Sequence, residues 1–140
     1  MRTHMIEIPT LLTGNASELD TRGTGWIIGF SDWTRLPGSD LLHVPKDEPL
    51  HGLMVKWFDH APGHASGSKA LSTGRTISLL AGPESHFELD FSLDPDFAPE
   101  ATRVVAFRRT GDFAAWGAGI HHRWRALRQA TILTVRWNAE

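Results

Sequence analysis

Cysteine and tyrosine are both missing from these 140 residues. Without cysteine there are no disulfides, no thiolate metal sites and no thiol nucleophile. A reducing compartment suits such a chain, and a soluble, cytoplasmic protein is the expectation. The N-terminal stretch MRTHMIEIPTLLTG holds no apolar run long enough for a signal peptide or a membrane span. Charge of one sign is also lacking: 14 Lys and Arg against 16 Asp and Glu leave a net charge of -2. No basic field is available to hold nucleic acid or an anionic membrane. There is no Gly-x-Ser-x-Gly, and Ser72, Thr73 and Ser78 have no base at a fixed spacing, so a nucleophile scheme finds no support. The lone Gly23-Thr24-Gly25 precedes a strand and not a helix, which makes it a turn and not a phosphate loop. Sustained helical periodicity is absent; residues 15–19 and 127–130 suggest one helical turn each.

What is present reads as strand after strand. Segments 24–30, 52–60, 75–81, 86–93, 102–109 and 130–137 are rich in β-branched and aromatic residues. In the fourth of these, Phe87, Leu89, Phe91 and Leu93 alternate with Glu88, Asp90 and Ser92, the period of a half-buried strand. Turn clusters at Ala61-Pro62-Gly63, Gly82-Pro83, Asp94-Pro95 and Gly117-Ala118-Gly119 separate them. Short strands punctuated in this way predict an all-β sandwich or small barrel. No repeat or linker divides the chain, so residues 1–140 are expected to form one domain, with N-terminal strands in 1–50 and the barrel core in 51–137.

The segment 111–137, GDFAAWGAGIHHRWRALRQATILTVRW, carries the most information. Gly111 and Asp112 open a strand, Gly117-Ala118-Gly119 reverses it, and His122 starts the strand that follows. This pattern resembles the second motif of the cupin superfamily, with Gly117 where that family usually has proline and Ala126 where it has asparagine. The first motif of the family, two histidines one residue apart followed by a glutamate and a glycine, is degraded. With Gly82 as its closing glycine, Ser68, Ala70 and Arg75 stand near the ligand positions. The resemblance spans roughly residues 50–137, and it extends in a general way to small single-domain bacterial cupin-like proteins. It implies a cupin-type jelly-roll β-barrel of two antiparallel sheets with little helix.

His122 is the leading candidate for a metal ligand or a catalytic acid–base group, since imidazole binds transition metals and titrates near neutrality. The alternative is a hydrogen-bonded histidine lining an ordinary pocket. A catalytic metal wants about three protein ligands, and His60 and His64, flanking the turn at 61–63, are the imidazoles nearest to hand; a divalent transition metal is therefore an open cofactor. His121 has the opposite parity and is expected to face away from the cavity. Lys56, Lys69 and Arg75 are candidate ligand-binding cations, because ammonium and guanidinium groups grip carboxylate or phosphate, or else they are solvated loop charges. Trp116 and Trp124 flank the motif and either stack on a ligand ring or fill the core.

Two functions from different classes follow. One is a small-molecule binding protein whose pocket around His122 takes a small organic anion. The other is a metal-dependent enzyme (oxygenase, isomerase or lyase) acting on a small organic acid, with His122, His60 and His64 as ligands. The missing His-x-His and glutamate favour the first. Neither nucleic acid nor membrane is an expected partner. A homodimer is, because exposed edge strands need covering.

Overall fold

Alternation in β7 (Phe87–Ser92) sets the plan of the molecule, because its Phe87, Leu89 and Phe91 side chains must all leave water on one face. The computed structural model describes residues 7–66 and 70–138 of the chain. Around β7 it arranges β1 (Leu12–Asn15), β2 (Ile28–Gly29), β3 (Leu42–His43), β4 (His51–His60), β5 (Ala70–Leu71) and β6 (Arg75–Leu80) before it in sequence. After it come β8 (Thr102–Phe107), β9 (Asp112–Trp116), β10 (His121–Ala126) and β11 (Ala130–Asn138). Short 3-10 turns at Ala16–Glu18, Asp32–Thr34 and Pro99–Ala101 are the helical content of the described residues. An antiparallel five-stranded sheet in the order β1-β9-β6-β11-β4 faces an antiparallel four-stranded sheet in the order β5-β10-β7-β8. This is the jelly-roll architecture the sequence pattern predicts.

The space between the sheets is the core. Leu80, Phe87, Leu89, Phe91, Phe107, Trp116 and Ile132 are buried there, with Phe91 set edge-on to Trp116 at 4.7 Å and Phe87 stacked on Trp124 at 5.7 Å. Outside the four-stranded sheet, the register puts Arg123 opposite Asp90 and Arg125 opposite Glu88. Arg123 Nε and Arg125 Nη1 both donate to Asp90 Oδ2, at 2.7 and 3.0 Å, and Arg125 Nη2 donates to Glu88 at 2.6 Å. Part of the C-terminal run of arginines is thus neutralised across strands.

Over β6 and β11 the outer face of the five-stranded sheet is covered by the irregular segment 19–44. Its Leu19, Ile27, Ile28, Leu41 and Leu42 pack over Ile77, Leu79, Leu133 and Val135 around a cavity of about 290 Å3. Here the sequence expectation is corrected: the strand predicted over 24–30 shrinks to two residues. Thr21 folds its own segment into a turn, accepting from the Thr24 and Gly25 amides, and Gly23 and Gly25 adopt left-handed φ values of 78° and 80°. The helical turn predicted at 127–130 is also absent. The amides of Leu127 and Arg128 bond instead to His86 O, and Ala130 already belongs to β11.

The turn predicted at 15–19 does form, at Ala16–Glu18, and Asn15 caps it by accepting from the Ser17 amide at 2.9 Å. The same buried side chain donates to Thr110 O and Asp112 Oδ1, at 3.0 and 2.8 Å, tying β1 to the start of β9. Asn15→Ala is therefore expected to lower stability by about 1–3 kcal/mol, since it removes a cap and orphans two groups at once. Urea denaturation measures this; a change within a few tenths of a kcal/mol contradicts it.

Candidate functional site

Gly119, at φ 84°, completes the reversal after β9 and sets the phase of β10. His122 then points between the two sheets, while His121 is only partly buried. The hydroxyl of Ser72 lies 3.0 Å from His122 Nδ1 and accepts from Trp116 Nε1 at 2.8 Å, so indole, hydroxyl and imidazole form one buried chain.

Alternation brings the facing side chains to the same space. On β4 the even-numbered Lys56 and His60 face inward; on β11 Ile132, Thr134 and Arg136 do so, directly across the ladder from Phe58, Lys56 and Met54. With Ser78, Phe87, Leu89, Trp116, His122 and Trp124 they enclose a cavity of about 40 Å3. That space widens toward solvent into a vestibule of about 200 Å3 lined by Met54, Val55, Lys56, Thr134 and Arg136. Ser78 and Thr134 hydroxyls meet at 2.9 Å on its wall, and Arg136 Nε donates to Thr76 Oγ1 at 3.2 Å.

The loop after β4 folds back over the barrel. Gly63 N bonds to Ala126 O, Ala126 N to His64 O, and Ala65 bridges to Arg125. This places His64 Nδ1 3.0 Å from His60 Nδ1, in contact with Phe58 and Trp124. Both interior histidines are held neutral. Burial pushes His60 down to about 4, helped by His64 and Lys56 and opposed by Asp59. Burial likewise takes His122 down to about 4, helped by Arg136 and His121 and opposed by a backbone hydrogen bond at Ile120.

Of the residues singled out from sequence, His122, His60, Lys56, Trp116 and Trp124 come together at this cavity, and His64 touches His60. Arg75 does not join them at this cavity. β6 buries Thr76, Ser78 and Leu80 toward the barrel, so Arg75 lies on the opposite face and its guanidinium donates to Glu48 at 2.7 Å. Lys69 lies outside the described residues. Sequence reasoning missed Arg136, Thr134 and Ser72. Arg136 shares parity with Ile132, and that alternation was the available signal.

The residues present do not fit the metal centre that the fold implies. Among the described residues no group of three or more His, Cys, Asp or Glu side chains is placed to hold a metal ion. The cavity wall offers two imidazoles, His60 and His122, and no carboxylate, and its charged groups Lys56 and Arg136 are cations.

Two facing antiparallel sheets with a histidine entering from the strand after a Gly-x-Gly turn define a cupin-like jelly roll. Comparison with solved structures bears on the fold alone. The 3'-monoepimerase ChmJ from Streptomyces bikiniensis superposes with a TM-score of 0.50 at 12% identity, over 66% of this chain and 48% of that one. A cupin superfamily protein from Desulfitobacterium hafniense matches at 0.46 and 15% identity, over 61% of this chain and 67% of that one. A conserved protein of unknown function from Streptococcus pyogenes matches at 0.48 and 20%, over 63% of this chain and 66% of that one. No family model matches the sequence, and no curated protein does. The chain has the cupin-like fold, and among the described residues no helix is long and apolar enough to cross a membrane.

Proposed function

We propose that this chain binds a small organic anion at the inner cavity, without a metal ion. One observation carries the reading: the cavity wall presents two cations, two neutral imidazoles and two hydroxyls, and no carboxylate. Among the described residues Lys56 and Arg136 have no carboxylate partner, so their charge is available to a ligand. An inner space of about 40 Å3 takes one carboxylate or phosphate group, and the vestibule of about 200 Å3 takes the body of a small metabolite. Arg136 grips the anion in fork geometry, Lys56 adds a point charge, and Trp116 and Trp124 exclude water. A low local dielectric strengthens each of these contacts.

Calorimetric titration with malonate and with inorganic phosphate tests the idea, with a neutral diol of matched size as the control. Arg136→Ala and Lys56→Ala are each expected to weaken anion binding about tenfold or more, in keeping with loss of a charge-assisted hydrogen bond. His122→Ala should abolish binding while changing stability at pH 7.5 by no more than about 1–2 kcal/mol. Equal binding of the diol, or unchanged anion affinity in Arg136→Ala, overturns the reading.

A further inference from the structure

The covering segment 19–44 lies between two polar anchors. Asn15 bonds to Thr110 and Asp112 before it, and Glu48 accepts from Trp137 and Arg75 after it. Between the anchors, among the described residues, every hydrogen bond and ion pair made by 19–44 closes within 19–46. The amides of Leu42 and Val44, for example, bond to Ile27 O and Gly29 O, and the Asp40 amide bonds to Asp20 O. The segment therefore rests on the sheet by apolar packing, with Phe30 edge-on to Trp137.

That packing leaves the cavity of about 290 Å3 unfilled, with Ile28 and Leu42 on the segment's side and Ile77, Leu79, Leu133 and Val135 on the sheet's. Protein interiors leave few voids larger than a water molecule, and an apolar space offers water no partners. The polar side chains of the lining are turned to neighbours in the segment. Asp40 Oδ2 accepts from the Asp20 amide at 2.7 Å, and His43 Nε2 lies 3.7 Å from Asp32 Oδ1. We propose that this space is a second binding site, which takes the apolar body of an uncharged amphiphile, a medium-chain alcohol in the simplest case. A dry apolar cavity of about 150 Å3 holds a benzene ring, so a space nearly twice as large takes roughly eight to twelve carbons.

The head group has a place beside it. A cavity of about 280 Å3 adjoins the first, shares Leu12, Leu42, Ile77 and Ala115 with it, and carries Thr73, Glu48 and Arg75. Arg75 gives Nη2 to Glu48 Oε1 at 2.7 Å, which leaves its other N–H groups to a guest. Glu48 already balances the guanidinium charge and would repel a carboxylate, so the fitting head is a hydroxyl. This site is separate from the anion pocket and does not rest on it. Leu133 and Val135 alternate along β11 with Ile132, Thr134 and Arg136, so the five-stranded sheet stands between the two. Because no hydrogen bond joins the segment to the sheet among the described residues, the segment can part from it as a unit and close over the guest.

Octan-1-ol is the probe, and hexane-1,6-diol is the control, since an apolar space rejects its second hydroxyl. Titration into the full chain, followed by methyl NMR, should saturate and give nuclear Overhauser contacts from the octyl chain to Ile28, Leu79 and Leu133. Exchange of the Leu42 and Val44 amides should slow about tenfold or more at saturation, because a guest that needs the closed segment stabilises it. Ala115→Leu fills the waist between the two cavities and should weaken octanol binding about tenfold or more. Arg75→Met keeps the stem, removes the donors and should weaken it about threefold to tenfold. No saturable binding, equal binding of the diol, or contacts at Phe87 and Trp124 in place of Ile28 and Leu133 overturn the site. So does unchanged affinity in Ala115→Leu, and the contacts in the wild-type protein decide the matter if that variant does not fold. Unchanged octanol affinity in Arg75→Met overturns the head-group assignment.

Discussion

Stability measured by urea titration is expected to fall steeply between pH 6.5 and pH 4, before most carboxylates begin to titrate. His60 and His122 are the cause. Each has its folded pKa pushed down from 6.5 to about 4, principally by burial. Between those values the unfolded chain binds protons that the folded chain refuses, so unfolding is favoured as the pH drops. Stability is complete above pH 6.5, is lost on the way down to about 4, and levels off below it as far as these two groups are concerned. At about 1.4 kcal/mol per pH unit, the two imidazoles together remove on the order of 3–6 kcal/mol, a large part of a typical domain's stability. Asp112 acts in a different window. Burial opposes its charge, but the Arg109 amide, the Asn15 side chain and the Arg108 amide outweigh that and hold its pKa below the ordinary carboxylate value. Its contribution is lost only in stronger acid. His60→Gln and His122→Gln should each flatten the curve between pH 6.5 and 4. A wild-type profile that is flat over this range would show that the imidazoles are not held neutral in the fold.

Trp137→Ala is expected to cost about 3–5 kcal/mol, the range for deleting a large aromatic from a packed core. Trp137 is fully buried at the end of β11, where Phe30 of the covering segment meets it edge-on at 5.2 Å. Its Nε1 donates to Glu48 Oε2 at 2.8 Å, and Arg75 Nη2 donates to Glu48 Oε1 at 2.7 Å. One carboxylate thereby clamps the segment before β4 to both β6 and β11. Removing the indole opens a cavity and leaves that carboxylate a partner short. Trp137→Phe keeps most of the volume and loses the hydrogen bond, so an intermediate loss of about 1–2 kcal/mol is expected. Thermal unfolding of the two variants beside the wild type separates packing from hydrogen bonding. If both cost the same, the clamp and not the packing dominates.

Local chemistry wrote much of this molecule in advance. The alternation of Phe87, Leu89 and Phe91 with Glu88, Asp90 and Ser92 dictates a strand with one dry face, because a period of two admits nothing else. Gly119 permits the reversal that brings His122 inward, and parity alone separates it from His121. The same parity rule would have placed Arg136 beside Lys56, given the pairing of β4 with β11. That pairing is what the sequence does not contain. Lys56, Ser72, His122 and Arg136 are far apart along the chain, and only closure of two sheets on each other makes them neighbours. Arg75 shows the reverse case: its charge and its place in the motif suggested the barrel pocket, yet the phase of β6 turns it to the outer face and Glu48 neutralises it. The covering segment 19–44 was equally illegible, since a turn-forming stretch acquires its position from the apolar sheet face it buries and not from any period of its own. Strand identity and side-chain phase are short-range properties of the backbone, which the sequence by itself determines. The composition of the cavity and the neutrality of its histidines are consequences of long-range pairing and burial, and these the tertiary structure alone decided.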